Sequence, residues 1–536
     1  MSSSQTPQTD VAIVGGGPVG LLLALELGKS GKHVTLIERW PETYDRPRAV
    51  TMDHEVARIL ATYGIDCNND PMIDYHDELY YWKNADLKDL QIVDWKSISS
   101  SGWRVTYWFN QPEFEERLFG FVTAMPNIQI LRGWEVTNLT QTENEVTLEA
   151  ENRADKSRSD STKTIKAAFA VGADGANSFV RETLGITTFD KGYFFDWLIL
   201  DMIPKDDYKV SPAQWQLCDP KRPTTIVPGG PGRRRWEFMV LPDESPEDIA
   251  KEKSAWALLK PWGLTPDNAE LERSAVYRFQ ARWAETWRNG RVLIAGDAAH
   301  LMPPFAGEGM CAGLRDALSL GWRLNGILEG RFGDDILDSY VSERIHHAKH
   351  YIDFSEELGK IICISDPKEA AARDTRMMAD LAARNHEPIH GDNCELGPGI
   401  WCETTKDAGR LSTQGIVEMD GQTGLFDQVV GQGWFILAIN SDTEDLRTEN
   451  LLCESHQRAL TSIGGRVLKI GPEGTECDVI DRDGTYGDWM DRIDRTYVIL
   501  RPDFYTAATA KTPEALRICL TDLLRKLRLN SPITTG

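Results

Sequence analysis

Val11-Ala12-Ile13-Val14-Gly15-Gly16-Gly17-Pro18-Val19-Gly20 runs directly into LLLALELGKSG (21–31) and then into His33 to Ile37, closed by Glu38-Arg39. An apolar run of strand length, a glycine turn, a leucine-rich helix ending near Gly31 and a second apolar run fit within about 30 residues, the span of a βαβ unit. In the spacing Gly15-x-Gly17-x-x-Gly20 each glycine has its own reason. Gly15 permits the tight turn, Gly17 lets the backbone approach a pyrophosphate, and Gly20 lets helix and strand pack closely. The helix start, with Pro18 and Val19, offers free N–H groups and the positive end of a dipole to an anion. Glu38 stands where a carboxylate accepts hydrogen bonds from ribose hydroxyls and disfavours a 2′-phosphate. The unit reads as a site for FAD or NAD, against the plainer reading of a glycine-rich packing turn.

The 536 residues have room for three or four folding units, and 41% hydrophobic with 26% charged residues is the balance of an ordinary soluble globular chain. Lys and Arg number 59 against 82 Asp and Glu, a formal charge of −23 that repels phosphate backbones and anionic lipid. Nucleic-acid and membrane partners are therefore not expected. The nine cysteines are scattered and form no CxxC pair, which removes support for a disulfide framework, a zinc knuckle or a dithiol redox motif. The first ten residues are a polar tail, and no stretch of about 18 apolar residues occurs, so a cytoplasmic setting is expected.

Further along, β-type alternation rich in aromatics (LYYWK, GWRVTYWF) fills 79–109, a helical segment starts near Gln111, and a second β-rich stretch runs from 186 to about 279. This interleaving predicts an α/β protein in which a sheet domain, 76–110 and 186–285, is inserted into a nucleotide-binding domain made of 1–75, 111–185 and 286–365. Residues 366–400, rich in charge, Ala, Pro and Gly, read as a linker to a separate unit over 401–536. Asn152 to Lys163 reads as a low-complexity loop tip.

Two segments choose between the ligands. Val171-Gly172-Ala173-Asp174-Gly175, with Arg181 beyond it, and Arg291 to His300 followed by Pro303-Pro304-Phe305-Ala306-Gly307-Glu308-Gly309-Met310 each end a strand in a small-residue turn. Together with the first motif they resemble the three FAD fingerprints of the flavin-dependent aromatic hydroxylases, the single-component monooxygenases related to p-hydroxybenzoate hydroxylase. RPRAVTMDHE (46–55), GRRRWEFMVLP (232–242) and GRVLIAGDAAHLMPPFAGEGMCAGLRDALSLGWRL (290–324) resemble the 3-(3-hydroxyphenyl)propionate hydroxylase branch, and GDWMDRIDRTYVILRPD (487–503) resembles its thioredoxin-like C-terminal domain, which lacks the redox CxxC.

The resemblance implies a Rossmann-like FAD domain of the p-hydroxybenzoate hydroxylase type. It places Gly15, Gly17 and Gly20 at the FAD pyrophosphate, Glu38 at the adenosine ribose, and Arg39, Arg48 and Gln111 among the cofactor contacts. Asp297 would bond the ribityl or ribose hydroxyls, Pro304, Gly307, Gly309 and Met310 would face the flavin, and Asp174 and Arg181 would serve both FAD and the nicotinamide cofactor. It further implies NADH or NADPH as a transient co-substrate, O2, a phenolic substrate hydroxylated through a flavin C4a-hydroperoxide, no metal, and a homodimer. The chain departs from the family's pattern at Glu308 (usually Gln), His54 (usually an acid) and Ser319 (usually Asn).

His54, Tyr193, Tyr107 and His300 are candidates for a base that removes a phenolic proton, although for any one of them a packed or hydrogen-bonded core residue is the favoured reading, since sequence gives no distance to substrate. His346, His347 and His350 lie on a helix without an acid cluster and read as a solvated face. Arg233-Arg234-Arg235 reads as a hairpin end with one arginine turned inward. Two other functions stay open at this level: a Baeyer–Villiger or epoxidising flavin oxygenase acting on a polyketide-like ring, and a non-catalytic FAD-binding protein.

Overall fold

The computed structural model describes residues 9–44, 47–153, 161–205, 208, 213–391, 394–439 and 451–529. Most of the expected loop tip at 152–163 lies outside them. The first sheet has at its centre four parallel pairings, in the order Val292–Ile294, Thr162–Gly172, Thr9–Val14, Val34–Glu38 and Ile128–Arg132. Val11, Ala12 and Ile13 are fully buried because helices cover this sheet, which is why the strand reads as an uninterrupted apolar run. Helix Pro18–Lys29 follows the first strand and packs on helix Gly309–Leu328.

A second sheet of eight strands is ordered His300–Leu301, Ala269–Ala284, Thr188–Pro204, Arg234–Met239, Thr224–Pro228, Trp215–Leu217, Tyr80–Lys83 and Asp89–Val93. The aromatic run Thr106–Phe109 does not join it. It pairs instead with Thr51–Asp53 and Ile73–Asp74 in a small sheet, where all four of its residues are buried. The stretch expected as a linker also differs, for it carries the helix Pro367–Ala383, capped by the Asp366 carboxylate. Ala370, Met377 and Leu381 recur at helical spacing and Arg373 is buried, donating to the Cys218 carbonyl, so this helix closes over the edge strand Asp89–Val93.

The C-terminal sheet has seven strands. At its centre Arg466–Gly471 is parallel to Phe435–Ile439, which is antiparallel to Tyr497–Leu500, itself antiparallel to Thr506–Ala510. Buried charge ties this unit to the rest. Glu343, on helix Leu337–Ile362, accepts from Arg323 at 2.6 Å, from Arg501 at 2.8 and 2.9 Å and from the Ile400 amide at 2.6 Å, and Arg501 also binds Asp503. Burial pushes the Glu343 carboxyl up, but the two guanidinium groups outweigh it and hold it down at about 2. Arg58 bridges to Asp427 and to the Ser412 carbonyl in the same manner.

Removing one partner of a fully paired buried charge leaves the others uncompensated. Glu343→Gln is therefore expected to lower unfolding free energy by about 3–5 kcal/mol in chemical denaturation. Because the folded carboxyl lies below its ordinary value, its contribution is present above about pH 4.5 and is lost as pH falls toward 2, so the variant should lose less stability than the parent across that acid window.

Candidate active site

Gly15 has φ +109°, and a β-carbon there would overlap the Ala173 carbonyl, just beyond the neighbouring strand Thr162–Gly172. A β-carbon on Gly20 would strike the Gly15 carbonyl, so these two glycines are required by the protein's own packing. Gly17 is different: a β-carbon there would meet nothing within 4 Å, because the residue faces an open groove. Gly17 is also the N-cap of helix Pro18–Lys29 without any side-chain cap, which leaves the helix's first N–H groups directed at that groove. Val19 wedges against Gly296 and Gly313, seating this helix start on the Gly296–Ala298 turn and on helix Gly309–Leu328.

The groove is a cavity of about 290 Å³ whose lining includes Gly17, Pro18, Val19, Arg48, Gln111, Asp297, Pro304, Gly307, Gly309 and Met310. Residues from five separated stretches of the chain thus meet in one place. Gln111 accepts from the Arg48 and Ala49 amides at 3.1 and 2.6 Å and donates to Glu115, so it holds the Arg48 segment at the groove's edge. Asp297 is exposed at the tip of its turn. Glu38 accepts from the Gly16 and Trp40 amides at 2.6 and 2.8 Å, at the end of the second strand. Arg39 lies outside the groove, over the Trp40 ring. Asp174 caps helix Phe179–Thr183 through Ser178 and the Val180 amide, and burial raises its carboxyl. Arg181 is buried and donates to the Ala176 and Ala298 carbonyls, which joins the second fingerprint to the third.

The open cradle at Gly17 and the uncapped helix start fit a pyrophosphate. A second uncapped helix N-terminus, at Glu308, begins the helix that carries Gly309 and Met310 on the same cavity. A long dinucleotide with an anionic centre and a ring able to carry negative charge is what these two donor ends accommodate. This matches FAD.

A second cavity of about 760 Å³ shares Thr51, Tyr80, Trp95, Phe305 and Gly307 with the first. Gly307, at φ +72°, turns the Pro304–Ala306 loop between them, and a β-carbon there would press on the Thr51 methyl. Tyr80 stacks on Trp95 with centroids 4.1 Å apart, and Trp95 tilts against Trp108, so the shared wall is aromatic. His54 lines the larger cavity with Nδ1 3.1 Å from the Ser101 hydroxyl, and burial lowers its pKa, leaving a neutral imidazole able to accept a proton. His347 lines the same cavity, edge-on to Tyr351. His346 is exposed.

The other candidate bases lie elsewhere. Tyr193 lines neither cavity; it packs edge-on to Phe195 beside Gly359, and burial keeps its phenol protonated. The Tyr107 hydroxyl bonds Asn68 and the Arg104 amide. His300 is buried against Asp316, Nε2 to Oδ2 at 2.7 Å, and the same carboxylate holds the Gly296 amide and Arg344.

Arg315 was not distinguished by any motif, yet it organises the site. Its guanidinium is buried and binds Asp53, Glu55 and Glu308, and Tyr505 of the C-terminal unit reaches Glu55 at 3.2 Å. Asp53, Glu308 and the Cys311 thiol converge closely enough to hold a metal ion, but Arg315 binds both carboxylates. Burial and the Asp53 charge push the Glu308 carboxyl up to about 7 against the pull of Arg315.

Two outcomes follow from this geometry. Gly20→Ala should cost about 1–3 kcal/mol or more through overlap with Gly15, whereas Gly17→Ala should fold with unchanged melting but bind FAD at least about tenfold more weakly in a fluorescence titration. Glu308 takes up a proton on folding, so its burial costs stability progressively as pH rises from about 4.5 to 7. Glu308→Gln should therefore gain up to roughly 2–3 kcal/mol relative to the parent at pH 8 and little at pH 4.5, read from denaturation at both values.

Residues 8–355 match the family described as the FAD binding domain, and residues 409–526 match the HcaD C-terminal domain. A probable NADH-specific resorcinol 4-hydroxylase of Rhodococcus jostii RHA1 is 32% identical over 504 residues, covering 94% of this chain and 92% of that protein. A 3-(3-hydroxy-phenyl)propionate/3-hydroxycinnamic acid hydroxylase of Burkholderia vietnamiensis G4 is 31% identical, covering 95% of each. The flavin-dependent monooxygenase PieE, solved with FAD and substrate, superposes with a TM-score of 0.78 at 20% identity over 98% of this chain and 100% of its own, a likeness of fold. With the FAD fingerprints assembled around one groove and both ends of the chain matched, the protein belongs to the FAD-dependent aromatic hydroxylases, the single-component flavoprotein monooxygenases.

Proposed function

We propose that this chain hydroxylates a phenolic ring, consuming O2 and NADH or NADPH. The observation that carries this reading is the shared wall: a dinucleotide groove opens, across the Pro304–Gly307 loop, on an aromatic-lined cavity large enough for a substituted benzene ring. Bound FAD supplies the redox chemistry, passing electrons from the nicotinamide to O2 so that one oxygen atom enters the ring and the other leaves as water.

The protein's own groups position and protect. The first helix start would hold the pyrophosphate, and the amides of Gly309 and Met310 would stabilise negative charge on the reduced ring. Tyr80, Trp95 and Phe305 would clamp the aromatic substrate and exclude water. His54, neutral in its buried setting, is the group we assign to take the phenolic proton, with Ser101 fixing its ring. We further place the enzyme in the cytoplasm, a reading supported by a sequence with no CxxC pair, and read it as a homodimer. We read the C-terminal unit as thioredoxin-like, supported by its central strand pairing.

A yellow holoenzyme whose NADH or NADPH oxidation is stimulated by phenols, with a product one oxygen heavier, is the expected result; no stimulation by any phenol would sink the proposal. His54→Asn should keep its FAD content and lose about 10²-fold or more in kcat, with the low-pH limb of the rate profile removed.

A further inference from the structure

One row of side chains across the second sheet faces the flavin groove. Strand register sets Gln216 opposite Thr225, and Thr225 opposite Glu237, and all three line the smaller cavity with Tyr80. The hydrogen bonds within the row have a direction. Gln216 Oε1 accepts from the Thr225 hydroxyl at 2.7 Å and from the Tyr80 hydroxyl at 3.4 Å, while its Nε2 donates to the Thr224 carbonyl. Both hydroxyl protons are therefore spent inside the wall. What Tyr80 and Thr225 turn toward the cavity is oxygen lone pairs.

Glu237 ends the row. Its side chain is 12% exposed, and the nearest cation, Arg235, stands 3.7 Å away, beyond hydrogen-bonding distance. Arg235 is itself committed, to Asp201 at 2.6 and 3.0 Å and to the Pro47 and Arg48 carbonyls. Burial pushes the Glu237 carboxyl up to about 7. The remaining cations on the two cavities do not supply a carboxylate site near this row. Arg315 is bound by three carboxylates, Arg48 lies half-exposed over Tyr44, and Arg376 is exposed on the helix at the mouth of the larger cavity.

Such a wall accepts hydrogen bonds and, above about pH 7, where Glu237 is ionised, disfavours an anion. We propose that Tyr80, which lines both cavities, together with Thr225 and Glu237 on the flavin-groove side of that shared wall, forms the substrate-recognition face, and that Glu237 selects an uncharged ring bearing two or more hydroxyls over a hydroxyphenylalkanoate. A diphenol places its two O–H donors against two acceptors of the row, whereas a side-chain carboxylate there would face Glu237, whose neighbouring guanidinium groups, Arg235 and Arg273, both lie against Asp201. This rests on the phenol hydroxylase reading and goes beyond it by naming the substrate class and the residue that sets it.

The test uses FAD-loaded full-length enzyme, with dissociation constants read from the perturbation of flavin absorbance and, in parallel, KM and kcat from stimulated NADH oxidation. The probes are resorcinol and 3-(3-hydroxyphenyl)propionate. The parent should bind resorcinol at least about tenfold more tightly, and Glu237→Gln should shrink that ratio by roughly tenfold to a hundredfold, mainly through Kd and KM. Thr225→Val, which removes one acceptor without touching charge, should weaken resorcinol and leave the propionate unchanged. Tighter binding of the propionate by the parent, or a ratio that neither variant moves, overturns the proposal while leaving the hydroxylase reading intact. A flavin spectrum and NADH oxidation indifferent to both probes overturns both.

Discussion

Three carboxylates from two distant parts of the chain surround the guanidinium of Arg315, and the walls of the active site depend on that pairing. Asp53 and Glu55 flank His54 at the start of a helix, Glu308 ends the loop that turns between the two cavities, and Arg315 lies two turns into the helix that loop begins. A buried cation tolerates this position only while its partners stay in place, and the surplus of negative charge is relieved by holding Glu308 close to neutrality. The loop and His54 are therefore set relative to each other by charge as much as by packing. Tyr505 extends the arrangement to the C-terminal unit, which makes that unit part of the site's scaffold.

The same device recurs deeper in the molecule. Glu343 between Arg323 and Arg501, and Asp316 among His300, Arg344 and the Gly296 amide, join elements that are far apart in the chain. Each buried charge has several partners, which is how an acidic protein can carry ionised groups at zero exposure. The net charge of −23 consequently says little about the cavities, whose local field comes from a few oriented groups.

The glycine fingerprints were legible because their demands are local: a left-handed turn at Gly15, a contact between Gly20 and the Gly15 carbonyl, an open face at Gly17. Long periodic helices were legible for the same reason. The stretch 366–400 misled because its charge and alanine content looked like a linker, while its sparse apolar positions were enough to seat a helix on an edge strand. Thr106–Phe109 misled because an alternating aromatic strand carries no sign of which sheet it will join.

Residue order was sufficient for the βαβ start, the dinucleotide site and the kind of cofactor, since spacing within one turn and one helix carries that information. The positions of the candidate bases were another matter. His54 reaches a cavity while Tyr193, Tyr107 and His300 are spent on packing or internal hydrogen bonds, and no spacing distinguishes them. Gln216, Thr225 and Glu237 sit on three strands and become one surface through cross-strand register, and Arg315 meets carboxylates some 260 positions away. These are properties of long-range closure, where a side chain's chemistry is set by neighbours that the chain brings together only when it folds.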